Sequence, residues 1–117
     1  MKRKVIALPC LDALQPTLES TALKLMEETG ELAQVIGKYR GMSGEKDPLA
    51  QQKVVEMILE ELVDVAQTAV TMMFVLEDNY DVDIEAALNR HIEKMALRGY
   101  MKADPEEVKQ FLRIAKG

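Results

Sequence analysis

Apolar residues recur along this chain at spacings of three and four, the mark of helices with one buried face, and no stretch alternates as a half-buried strand does. Breakers divide the pattern into four helices, at roughly residues 16–40, 48–79, 83–98 and 105–116. Asp47-Pro48 and Asp104-Pro105 each place an N-cap acceptor before a proline at the first helical position, where a missing N–H costs nothing. Glu107, three residues after Asp104, completes a capping-box pattern. The link Gly41-Met42-Ser43-Gly44-Glu45-Lys46-Asp47 is short, polar and glycine-bearing, which favours an antiparallel hairpin of the first two helices. The expected architecture is all-α, a four-helix protomer forming a single domain over residues 1–117.

The same periodicity places two acidic clusters, Glu27-Glu28-Thr29-Gly30-Glu31 and Glu60-Glu61-Leu62-Val63-Asp64, beside the apolar stripes of helices 1 and 2. On a wheel of about 100° per residue, the first stripe is Leu18, Ala22, Leu25, Leu32 and Ile36, with Glu28 and Glu31 roughly 80° and 140° to one side. The second stripe is Ile58, Leu62, Val65, Ala69, Met72 and Leu76, with Glu61 and Asp64 roughly 60° and 120° off in the same sense. Offsets of the same sense converge only if the helices run antiparallel. Counting from the hairpin link at ~1.5 Å per residue, the two clusters differ in height by about 5 Å, so four carboxylates gather at one level. Glu27 and Glu60 point away from the stripes.

Carboxylates brought together on neighbouring helices repel unless a cation joins them. An all-oxygen donor set suits Mg²⁺, or Mn²⁺, rather than zinc or copper, and such ions keep open positions for water and phosphate oxygens. A di-iron bundle would need Glu-x-x-His pairs, whereas the lone His91 has Leu88 three residues before it.

Composition narrows the class further. The chain has 117 residues, 48% hydrophobic and 30% charged, which suits a globular fold with a modest core. A net charge of −5, with its one basic cluster at Lys2-Arg3-Lys4, argues against a nucleic-acid surface. Val65 to Leu76 is the most apolar run, yet it is well short of the ~20 residues that span a bilayer. It has more apolar surface than one partner helix covers, which points to burial between subunits. The N-terminus lacks the long apolar core of a signal peptide, and Cys10 has no partner for an intrachain disulfide, so a cytoplasmic location is expected. Cys10 is read as packing, His91 as an ordinary helix histidine, and Met72, Met73 and Phe74 as core or interface. The few aromatic residues do not specify a base.

Glu27-Glu28-x-x-Glu31, followed on the next helix by Glu61-x-x-Asp64, resembles the signature of the MazG-like all-α nucleoside triphosphate pyrophosphohydrolases. Dimeric dUTPases, dCTP pyrophosphatases and phosphoribosyl-ATP pyrophosphohydrolase are relatives of that family. The likeness runs from about Leu18 to Tyr100 and includes Gly30-Glu31-Leu32-Ala33 and Asp83-Ile84-Glu85-Ala86-Ala87. It implies hydrolysis between the α and β phosphates of a nucleoside triphosphate, giving monophosphate and pyrophosphate, with a house-cleaning role. It also implies Glu28, Glu31, Glu61 and Asp64 as Mg²⁺ ligands, and Glu27 as a catalytic carboxylate that activates water or supports the ligands. Lys94 and Arg98 are implied as substrate-binding cations, and a homodimer or homotetramer as the assembly. The chain departs from many relatives at His91 and Met95, where they carry lysine and asparagine. A non-catalytic helical module that binds nucleotide or protein, and a phosphoribosyl-ATP pyrophosphohydrolase, are the alternatives.

Overall fold

The computed structural model describes residues 2–41 and 47–116, with backbone alone for 113–116. Its elements are α1 (Leu18–Gly41), α2 (Pro48–Asn79), α3 (Ile84–Leu97) and α4 (Pro105–Lys116), and no strand occurs among the described residues. The glycine-bearing link expected to close the hairpin lies, over residues 42–46, outside the described residues.

Local chemistry explains the helix ends. α1 begins two residues later than the proline suggested, because Thr17 and Ser20 cap it reciprocally: the Ser20 N–H donates to Thr17 Oγ1 at 3.0 Å and the Thr17 N–H to Ser20 Oγ at 2.8 Å. In both Asp-Pro starts the aspartate accepts from the residue just past the proline, Leu49 for Asp47 and Glu106 for Asp104, each at 3.0 Å. The proline has no N–H, so the next donor along the chain takes the cap. Glu107 therefore meets the Asp104 backbone carbonyl and not its carboxylate. Asp83 caps α3 through Ala86, and Gly99, at φ 76°, turns the chain out of α3 in a left-handed conformation that a side chain would strain.

The chain forms two compact units, Leu8–Asn79 and a second that joins Met1–Ala7 to Tyr80–Gly117. In the first, α1 packs along α2. Glu28 and Glu31 meet Glu61, while Thr21 and Lys24, earlier on α1, share a cavity with Thr68 and Thr71, later on α2. The two helices thus run antiparallel.

The seam between them is not centred on the densest apolar stripes. On α1 the covered line is Leu18, Thr21, Leu25, Glu28, Leu32 and Val35, and on α2 it includes Val54, Met57, Glu61, Thr68, Thr71 and Val75. Ala22, Ile36 and Leu62, expected in the stripes, are exposed. Threonines enter the seam at low cost because the helices satisfy their hydroxyls: Thr21 Oγ1 donates to the Thr17 carbonyl at 2.8 Å, and Thr68 Oγ1 to that of Asp64 at 2.9 Å.

In the second unit, the buried Lys109 on α4 joins Glu93 of α3 and Glu106, the latter at 3.2 Å. Arg3, from the basic start, lies 4.1 Å over the Phe111 ring.

Candidate metal and phosphate site

One carboxylate oxygen from each of Glu28, Glu31 and Glu61 lies within 4.8 Å of the others. Glu28 is 5% exposed, Glu61 is half-buried and Glu31 stands at the solvent edge. Helical spacing puts Glu28 and Glu31 on one turn of α1, and antiparallel packing brings Glu61 across to them.

Burial, and after it the charges of Glu31, Asp64 and Glu28 and a hydrogen bond with Glu31, hold the Glu61 carboxyl above its usual 4.5. Glu28 gives its Oε1 to the Lys24 ammonium at 2.9 Å, and this pairing raises the lysine's own pKa. The second oxygens, Glu28 Oε2 and Glu61 Oε2, are buried and have no protein partner. Buried carboxylate oxygens without donors are costly, and a hard cation with oxygen ligands is what this set fits.

Asp64 stands outside the close trio. Its exposed carboxylate borders the same cavity as Glu28, and its charge contributes to the shift at Glu61. Glu27 is exposed and away from the trio, with Lys24 Nζ at 3.9 Å. Lys94 and Arg98 are exposed at the end of α3, in the second unit, joined by the Arg98 N–H to Lys94 carbonyl bond at 3.0 Å.

Beside the carboxylates a cavity of about 480 Å³ opens between α1, α2 and the segment that precedes α1. Leu11, Leu14 and Pro16 give it apolar wall; Gln67, Thr68, Thr71 and Lys24 give it polar groups; Glu28 and Asp64 mark its acidic edge. That volume and mixture match a small-molecule pocket. Gln67 ties the wall down, donating from Nε2 to the Pro9 carbonyl at 3.0 Å and to Thr71 Oγ1 at 3.1 Å. Because the Pro9 carbonyl can only accept, the amide orientation is determined. Sequence reasoning missed this wall, since residues 58 positions apart leave no local trace. Lys24 had a local sign, its place four residues before Glu28.

An antiparallel helical hairpin carrying an oxygen-only carboxylate cluster beside a small-molecule cavity is the class of site defined here. The profile of the MazG nucleotide pyrophosphohydrolase domain matches residues 16–100, and the chain belongs to that family. No curated protein and no solved structure matches. No helix among the described residues is long and apolar enough to cross a membrane.

The shift at Glu61 carries a pH consequence. Raised in the fold, this carboxyl keeps a proton that the unfolded chain has already lost. Its contribution favours the metal-free fold below about 4.5 and is lost as pH rises through the folded value. A bound cation favours the ionised form instead. The Mg²⁺-induced rise in Tm is therefore expected to be larger near pH 7.5 than near pH 5, as read by scanning fluorimetry. An ion-induced shift that is the same at both would remove Glu61 from the ligand set.

Proposed function

We propose that this protein is a divalent-cation-dependent nucleoside triphosphate pyrophosphohydrolase that releases monophosphate and pyrophosphate. The observation that carries the reading is the convergence of Glu28, Glu31 and Glu61 at the edge of a nucleoside-sized cavity, with two of their buried oxygens unpartnered. Family membership supports the same chemistry.

Glu28, Glu31, Glu61 and Asp64 hold the ion. Bound there, Mg²⁺ or Mn²⁺ supplies charge neutralisation for the phosphates and a more acidic water. Water adds across the α–β phosphoanhydride, the bridging P–O bond breaks, pyrophosphate leaves, and the water's proton passes to a carboxylate. Glu27 is assigned that proton in a site completed by a second copy of the chain, since within the protomer it stands apart from the trio. The cavity takes the nucleoside. Lys94 and Arg98 are assigned the outer phosphates; they are exposed, and no carboxylate pairs with them among the described residues. Glu93, the nearest acid in sequence to Lys94, is engaged by Lys109 instead.

The test is a panel of common and modified nucleoside triphosphates with Mg²⁺, monophosphate and pyrophosphate being identified separately. At least one member should give both products in equal amounts. In the same assay Arg98→Ala should lower kcat/KM more than tenfold, about 1.4 kcal/mol of transition-state stabilisation. Nucleotide binding without turnover across the panel would leave a helical binding module, and wild-type kinetics in Arg98→Ala would release that arginine from the phosphates.

A further inference from the structure

Among the described residues, Lys24 is the only cation in an ion pair with a cluster carboxylate. It is also, among the described residues, the only cation that lines the 480 Å³ cavity. Its side chain is 57% exposed, so the ammonium has freedom to move, while Glu28, its partner at 2.9 Å, is fixed in the seam. The lysine occupies Glu28 Oε1 and leaves Oε2 buried without a donor. A divalent ion held by Glu28 and an ammonium on its Oε1 would stand close enough to repel, each weakening the other's hold. Apart from the acidic edge of Glu28 and Asp64, the remaining polar groups of the cavity, Gln67, Thr68 and Thr71 among them, are uncharged, so an anion entering it meets Lys24 as its one cation among the described residues.

Resting on the function proposed above, we propose that Lys24 exchanges Glu28 for a phosphate oxygen of the substrate when the divalent ion binds. One lysine then has two roles. In the metal-free protein it is a counter-ion that competes with the metal for Glu28. In the loaded site it is a substrate contact, and its transfer makes ion and nucleotide binding reinforce each other, as reciprocal linkage requires. A lysine that merely decorated the helix surface would do neither, since an exposed pair four residues apart contributes little.

The two roles predict effects of opposite sign in one variant. Calorimetric titration of Mn²⁺ into the nucleotide-free protein should give binding about two- to fivefold tighter in Lys24→Gln than in wild type, because the competitor is gone. Titration of inorganic triphosphate in Mg²⁺, a probe that makes no demand on the base, should give binding weaker by roughly tenfold or more, the loss of one charge-assisted hydrogen bond. Lys24→Arg should recover the triphosphate arm, and circular dichroism should show unchanged helix content in both variants. Both changes together support the exchange. Mn²⁺ affinity that stays equal or falls in Lys24→Gln, or triphosphate affinity that does not fall, overturns it while leaving the metal site standing. Wild-type protein that binds no Mn²⁺ overturns instead the reading on which the exchange rests, and the exchange with it.

Discussion

Glu61→Gln is expected to lower Mg²⁺-dependent turnover by ~10²-fold or more, beyond the 10–100-fold typical of losing a residue that only supports a metal ligand. The reason lies in the position of this carboxylate. It is the one group that α2 contributes to the close trio, and its Oε2 is buried with no protein donor. An amide keeps the shape but offers one weaker oxygen and a misplaced N–H. The metal-free fold should meanwhile hold its Tm or gain, because burial and the charges of Glu31, Asp64 and Glu28 all disfavour the ionised carboxylate that is removed. Glu31→Gln and Asp64→Asn should follow the same course. The two readouts separate a ligand from a structural residue, whose loss would lower stability together with activity. Wild-type rates at saturating Mg²⁺ in Glu61→Gln would move the reaction away from this cluster.

The second large effect is expected at assembly. The first unit leaves Leu59 60%, Leu62 49%, Val63 48% and Val55 40% exposed along one side of α2. On α1, Leu23 and Met26 are more exposed still, in line with Gly30 and Gly37. A Cβ built at either glycine meets nothing within 4 Å. A glycine inside a helix costs about 0.5–1 kcal/mol relative to alanine, and nothing within this unit makes use of the open space. A second copy seated on either face would cover its apolar side chains, and on α1 would approach closely at the glycines. The run expected to supply that surface, Val65 to Leu76, is instead half-buried or buried throughout, so the surplus lies one to three turns earlier on α2. Leu59→Glu should then break the assembly. Two leucines lost across a two-fold interface forfeit about 3–6 kcal/mol, which raises the dissociation constant at least a hundredfold. Sedimentation velocity of wild type and variant at micromolar concentration is the measurement. A compact wild-type monomer there would remove both the assembly and the role given to Glu27 in a shared site.

Much of this was written locally. Asp47-Pro48, Asp104-Pro105 and Gly99 mark helix ends through caps and backbone preferences that act within a few residues, so α2 and α4 run as the punctuation indicates. The spacing of Glu28 and Glu31 likewise requires them to share a helix flank, whatever packs against it. The family signature is of the same local kind, two short motifs in order, and the profile match covers it.

Which faces meet is a different question, and only the packed hairpin answered it. Apolar residues border several faces of α1 and α2, so the stripe of greatest hydrophobicity was not the only candidate for the seam. The seam taken runs through Thr21, Glu28, Glu61, Thr68 and Thr71, and leaves Leu59 and Leu62 outward. Hydroxyls bonded to their own helix make two of those threonines inexpensive to bury, and the carboxylates are drawn in with them. Long-range partners, Gln67 with Pro9 and Glu61 with Glu28 and Glu31, depend on that rotation of the helices. Periodicity reports the energy of one helix meeting water, whereas a site is set by the summed burial, hydrogen bonding and repulsion of two helices meeting each other, and that sum exists only in the tertiary structure.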